Sequence, residues 1–232
     1  MRFLVLSNLN TNINLLFIPG WNNTFQNIIR FANLFKEEYS TYIYTPTPFI
    51  DRNCKIFNID DFINELDTLI KENNLKNLFI IGHSFGGKLA FLYKLKNNEI
   101  NVIALAPSIY KNSFSLKVYI KIKLYKIFRF LKIRIPFFLK GSKDYKMLSG
   151  KLKQTFINVH HVYLSDKELL KIDKALIIGY KYDNEVKCKV LKKVNKINNR
   201  IKLEINNGGH FGHLEDYKSV YFKIRKYLNE KL

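Results

Sequence analysis

Short apolar runs alternate with longer amphipathic stretches along most of the chain. Leu15 to Ile18, Thr41 to Tyr44, Leu78 to Ile81, Val102 to Leu105, Ala175 to Ile178 and Ile201 to Ile205 are rich in Ile, Leu, Val and aromatic residues, and they predict strands. Between them, Thr24 to Glu38, Ile59 to Glu72, Lys88 to Asn97 and Leu214 to Asn229 carry helix-like patterns. Strand and helix in alternation point to an α/β fold, a mainly parallel central sheet with helices on both faces. Ligands of such sheets bind at the carboxyl ends of the strands.

One segment breaks the alternation. Residues 108–171 lie between two buried-strand patterns and contain no convincing strand, so they are expected to form an inserted helical cap, or lid, on a core made of residues 1–107 and 172–232. Within it Leu116, Ile120, Leu124, Ile127 and Leu131 recur at spacings of three and four, giving an apolar stripe along one helix face. From Ile109 to Lys143 there are ten basic residues and no acidic one.

That run changes how the charge is read. The 232 residues include 39 Lys and Arg against 19 Asp and Glu, a net charge of +20, and half of it sits in this small piece. Hydrophobic residues make up 47%, too many for a disordered polycation and enough for a sizeable core. Only seven of the basic residues are Arg, the side chain that base and phosphate readers favour, so no nucleic-acid partner is expected. A Lys-rich amphipathic helix can instead lie on an anionic membrane or attract an acidic acyl carrier. Cys54 and Cys188 stand far apart without a CxxC or His-rich partner set, which indicates neither a disulfide framework nor a metal site. The opening run Phe3 to Leu6 is too short for a signal peptide, and no apolar stretch reaches the roughly 18 residues of a spanning helix. A cytoplasmic chain, at most peripheral to a membrane, is the expectation.

The most specific local signal is Gly82-His83-Ser84-Phe85-Gly86-Gly87, a GxSxG element that follows the run Leu78 to Ile81 and opens the helical run from Lys88. That is the strand, tight turn and helix required to lift a serine hydroxyl above a sheet, and Cβ atoms at positions 82 and 86 would crowd the neighbouring backbone. A glycine-rich turn with an incidental serine is the plain alternative. A serine hydroxyl is a poor nucleophile at neutral pH and needs a base, itself oriented by a third group. Asp183 follows the run Ala175 to Ile178 through Gly179-Tyr180-Lys181-Tyr182, and His210 follows Ile201 to Ile205 through Asn206-Asn207-Gly208-Gly209. Both should stand at carboxyl ends of strands, in the chain order Ser84, Asp183, His210.

Other candidates are weaker. His213 falls at the start of the last helix, and His160 and His161 belong to the cap, where a surface role is the plainer one. Asp166 and Asp173 precede a strand and should end on the wrong side of the sheet. His83 neighbours Ser84, so its side chain should point the opposite way and pack under the turn.

With Phe17-Ile18-Pro19-Gly20-Trp21, Gly82 to Gly87, Ala175 to Val186 and Gly208 to Leu214 in this order, the chain resembles the α/β-hydrolase fold superfamily over nearly its whole length. The resemblance implies a cap after the sixth core strand and a Ser84, His210, Asp183 triad. It also implies an oxyanion hole made by the backbone N–H groups of Trp21 and Phe85, and substrate contacts from Trp21 and His83. Pro19 stands where the family commonly has histidine, so the side-chain hydrogen bond that often braces this loop is missing. The implied activity is that of a serine hydrolase, a carboxylesterase or lysophospholipase-like enzyme that cleaves a small or medium acyl ester through an acyl-enzyme without metal or organic cofactor. Thioesterase, amidase, aminopeptidase or carbon–carbon bond hydrolase chemistry would use the same triad, and a receptor-like fold that holds a ligand with little turnover is the alternative of another class.

Overall fold

The computed structural model describes residues 1–9, 11–111, 123–125, 127–131, 133–134, 136 and 148–230. Seven strands form one open sheet: β1 (Phe3–Ser7), β2 (Asn14–Ile18), β3 (Ser40–Tyr44), β4 (Leu78–His83), β5 (Asn101–Leu105), β6 (Ala175–Tyr180) and β7 (Ile201–Asn206). Their spatial order is β1-β3-β2-β4-β5-β6-β7. β1 runs antiparallel to β3 and every other pairing is parallel. The helices with both ends among the described residues are α1 (Ile29–Ala32), α2 (Thr47–Ile50), α3 (Ile59–Glu72), α4 (Phe85–Lys96), α5 (Gly150–Val159), α6 (Asp166–Lys171), α7 (Cys188–Ile197), α8 (Gly212–Glu215) and α9 (Tyr217–Asn229).

The order of strands decides where a ligand can sit. From β2 the chain steps outward to β3, then returns past β2 to β4, so the direction of winding reverses between β2 and β4. Right-handed crossovers on either side of such a reversal place helices on opposite faces and open a crevice at the carboxyl ends of the two strands. The ring contacts agree. Phe62 of α3 meets Phe85 of α4 on one face, and Phe35, just after α1, meets Tyr221 of α9 on the other. Ile18 at the end of β2 stands in register with Gly82 of β4, which brings the Gly20–Trp21 loop beside Ser84.

All six strands expected from apolar runs are present. β1 is the addition: it coincides with the opening apolar run Phe3 to Leu6, and as the sheet's edge it has one neighbour and is only half-buried. The stretch Thr24 to Glu38 is not one helix. It breaks into a 3₁₀ turn at Phe25–Asn27, then α1, then further turns. The Asn27 side chain accepts the Thr24 N–H, local bonding of the kind that competes with a regular helix. Ile28, Phe31, Ala32 and Phe35 still reach the core, which accounts for the helical spacing. α3 keeps its expected bounds and starts at a reciprocal cap, Asn58 accepting from the Asp61 N–H while Asp61 accepts from the Asn58 N–H.

Between β5 and β6, so after the fifth strand of this sheet and not the sixth, the described residues contain helices and no strand. α5 is tied down by polar bonds: Thr155 Oγ1 accepts the Phe57 N–H at 3.0 Å, and the Asn158 amide donates to the Phe57 carbonyl at 3.2 Å. Lys88, buried in α4, donates to the carbonyls of Val159 and His160 at the end of α5, and burial lowers its ammonium to about 8. Leu152, Val159, Leu164 and Leu169 join the same core as the sheet. Of the apolar stripe, Leu116 and Ile120 lie outside the described residues; Leu124, Ile127 and Leu131 are exposed. Among the described residues no helix is long and apolar enough to cross a membrane.

The tightest packing is glycine against backbone. A Cβ on Gly86 would stand 2.3 Å from the Ile18 carbonyl oxygen and 2.6 Å from that of Pro19; one on Gly82 would meet the Gly86 carbonyl at 2.4 Å. Neither obstacle is a movable side chain. Gly86→Ala therefore pushes α4 off β2, and a loss of about 3 kcal/mol or more is expected in urea unfolding followed by circular dichroism. An unchanged midpoint would contradict this packing.

Candidate active site

Ser84 joins β4 to α4 with φ +50° and ψ −107°, a conformation that a non-glycine residue enters at a cost of about 1–3 kcal/mol. The neighbouring strand holds it there. Its N–H donates to the Leu105 carbonyl at 2.8 Å, and its carbonyl accepts from the N–H groups of Lys88 and Ser108. Phe85 is the first residue of α4, so its N–H has no acceptor within the helix, and the positive end of the helix dipole lies beside the serine.

Asp183 and His210 come from the loops after β6 and β7. Asp183 is buried, and its Oδ1 accepts the N–H groups of Glu185 and Val186 at 2.7 and 2.9 Å. Its Oδ2 lies 2.8 Å from His210 Nδ1. Burial works against the charged carboxylate, but the bond from His210 and the Val186 and Glu185 amides outweigh it and hold the carboxyl below its usual range. A carboxylate only accepts, so Nδ1 carries the hydrogen and, in the neutral ring, Nε2 is left as the basic nitrogen. The loop that delivers His210 is itself anchored: Glu215 accepts the Gly209 N–H at 2.8 Å, and Gly212 packs on the Tyr180 ring so closely that a Cβ would lie 2.2 Å from it.

Ser84, His210, Gly20, Trp21, Glu185 and Phe211 surround one cavity of about 250 Å³. Leu148, from the segment before α5, and His83 complete part of its wall. The Trp21 ring stands edge-on to Phe49, Phe85 and Phe156 at 5.0–5.2 Å, and with Leu148 and Phe211 it gives the cavity its apolar wall. A larger hollow of about 410 Å³ on α9, lined by Phe222, Arg225, Lys226, Asn229 and Glu230, has no serine, cysteine or histidine in its wall.

The remaining candidates lie elsewhere. His213 is buried behind the cavity against Phe31 and His83. The His160 ring stacks on Phe156 at 4.8 Å. Asp166 accepts the Tyr110 hydroxyl at 2.7 Å, and Asp173 pairs with the buried Lys94 at 2.9 Å. Among the described residues no group of three or more His, Cys, Asp or Glu could hold a metal ion.

Two features escape sequence reasoning. Glu185 places Oε2 at 3.3 Å from His210 Nε2, an ion pair whenever the ring is doubly protonated. Its signal is slight: an Asp two residues upstream whose side chain turns the chain back by accepting the amide of Glu185. His83 is 3% exposed, and its Nε2 lies 2.9 Å from the His210 carbonyl oxygen. The carbonyl can only accept, so His83 donates, and the residue beside Ser84 braces the backbone of His210.

Among solved structures, a meta-cleavage product hydrolase from Pseudomonas fluorescens IP01 has TM-score 0.73 at 14% identity, covering 99% of this chain and 94% of its own. A carboxylesterase structure from the thaumarchaeon Nitrososphaera gargenis has TM-score 0.70 at 14% identity, covering 98% and 93%. A bacterial membrane phospholipase A has TM-score 0.74 at 15% identity, covering 98% and 82%. No family model matches the chain, and no curated protein matches it. At these identities the likeness is one of fold, and the fold is that of the α/β-hydrolases.

The histidines behind the cavity make stability depend on pH. Burial, then the neighbouring His210, pushes His213 down to about 3; burial, then His213 and His210, holds His83 well below its usual value. Unfolded, both rings take up a proton near pH 6.5; folded, they refuse it. Stability therefore falls as pH drops below about 6.5, by about 1.4 kcal/mol per pH unit for each ring that stays neutral in the fold. His213→Phe, which keeps a ring against Phe31, should flatten that slope in urea unfolding between about pH 6.5 and 5. An equal slope in the variant would contradict the assignment.

Proposed function

We propose that this α/β-hydrolase-fold chain is a serine hydrolase that cleaves a small carboxylic ester through an acyl-enzyme. The observation that carries the proposal is the 2.8 Å contact of His210 Nδ1 with the buried Asp183, in a loop that also brings the ring to the cavity of the strained Ser84. The Ser84 hydroxyl attacks the acyl carbonyl carbon as its proton passes to His210 Nε2. Asp183 keeps the ring's tautomer and stabilises the imidazolium, and Glu185 adds a second carboxylate at 3.3 Å from Nε2. The N–H groups of Trp21 and Phe85 receive the oxyanion, a contribution of about 3 kcal/mol each to the barrier. When the tetrahedral species collapses, the bond to the alcohol breaks and the alcohol leaves with the proton from Nε2. Water then attacks the acyl-enzyme, gives its proton to Nε2 and releases the acid, and Ser84 recovers its proton.

A cavity of about 250 Å³ suits a short acyl group better than a long one. Thioesters and amides react by the same steps. Hydrolysis of a carbon–carbon bond would use the same triad, and an ester panel run beside a meta-cleavage product, the substrate class in the name of one structural neighbour, separates the two.

Intact mass after treatment with a fluorophosphonate tests the nucleophile without assuming a substrate. One adduct is expected on the wild type and none on Ser84→Ala or His210→Ala; a folded wild type that takes no adduct would contradict the proposal. Asp183→Asn should lower kcat about 10⁴-fold, since the amide no longer sets the ring's tautomer. Glu185→Gln should favour anionic over cationic leaving groups by severalfold in kcat/KM, because it removes a negative charge from the cavity wall. Equal selectivity in wild type and variant would place that carboxylate outside the substrate's reach.

A further inference from the structure

Residues 123–125 and 127–130 are helical, and the turn continues through bonds from the Leu131 N–H to the Ile127 carbonyl and from the Ile133 N–H to the Phe128 carbonyl. Phe128 is partly buried, but five other apolar side chains face outward. Leu124, Ile127, Phe130, Leu131 and Ile133 are between 38% and 86% exposed, with Phe130 the extreme. Other exposed apolar side chains, such as Val5, Leu170 and Phe222, are spread along the sequence, whereas five fall here within ten residues, and Phe130 is more exposed than any of them. Exposed Arg129 and Arg134 are interleaved with it, and the whole run from Ile109 to Lys143 has ten basic residues and no acidic one.

We infer that this face docks on an anionic lipid surface. Apolar anchors among cations, with no carboxylate between them, match a bilayer interface: the side chains enter the boundary between headgroups and chains while the cations meet lipid phosphates. An acidic acyl carrier would be held by the cations alone and would leave Phe130 without a purpose. The inference deepens the esterase proposal by naming where the ester is met, since Leu148 of the same inserted segment is part of the cavity wall. Docking itself does not depend on catalysis, so the two can fail separately.

The test is co-sedimentation of Ser84→Ala protein, which cannot turn over lipid, with vesicles of phosphatidylcholine alone or mixed with phosphatidylglycerol. Partition into the mixed vesicles, weakened by added salt, is expected. Ile127→Ser combined with Phe130→Ser should lower the partition coefficient about tenfold or more, and Arg129→Glu should lower it independently. These side chains are exposed, so the variants should keep the parent's melting curve and, with Ser84 restored, its fluorophosphonate labelling. No partition into mixed vesicles, or partition unchanged by the apolar double variant, would overturn the inference; the latter would mean diffuse attraction by lysines. Retention on an immobilised acidic acyl carrier protein without vesicle binding would also overturn it, in favour of a carrier. Either failure with labelling intact would leave the esterase proposal standing.

Discussion

The candidate site depends on how closely the start of α4 approaches the end of β2. The carbonyl oxygens of Ile18 and Pro19 occupy the space in which Gly86 would carry a Cβ, and the backbone of Gly86 does the same to Gly82. That contact leaves the chain between β4 and α4 no room for an ordinary turn, and Ser84 takes a left-handed φ as a result. The hydroxyl is thereby presented at the point where the sheet reverses its winding, beside the Gly20–Trp21 loop that continues from β2. Strain at Ser84 is offset by three backbone hydrogen bonds to residues 88, 105 and 108.

Around this turn the polar groups are arranged in depth. Asp183, buried and given three donors, remains an acceptor for His210. Behind it, burial keeps His83 and His213 neutral, so the rings next to His210 add polarity without adding charge. One of them, His83, donates to the backbone of His210 and so ties the strand that carries the serine to the loop that carries the base. The same low-dielectric setting that makes these bonds effective makes an unpaired charge there costly, so the arrangement is expected to lose stability in acid.

Much of the frame is legible in the chain because central strands are buried on both faces and have little choice but apolar side chains. Residues 78–81 and 175–178 show this best, and each leads into a loop that carries a candidate residue. The run Phe3 to Leu6 is as apolar as a central strand yet forms the half-buried edge β1, and α7 hides its Val190, Leu191 and Val194 among lysines. Periodicity overreached at residues 24–38, where asparagine-rich turns put apolar residues at helical spacing without a continuous helix. Ser84, Asp183 and His210 can be read from strand-then-loop context. Glu185 cannot, because its position follows from a local turn around Asp183, and the His83–His210 bond joins residues 127 positions apart.

Ser84 and His210 share one cavity with Trp21, and the proposed chemistry requires the backbone amides of Trp21 and Phe85 to point into it. A crystal structure of the fluorophosphonate-treated protein measures that directly. The proposed mechanism predicts phosphorus bonded to Ser84 Oγ, with one phosphoryl oxygen about 3 Å from the N–H groups of both Trp21 and Phe85, and His210 Nε2 facing the adduct. A phosphoryl oxygen turned to solvent, or an adduct on any other residue, would contradict it.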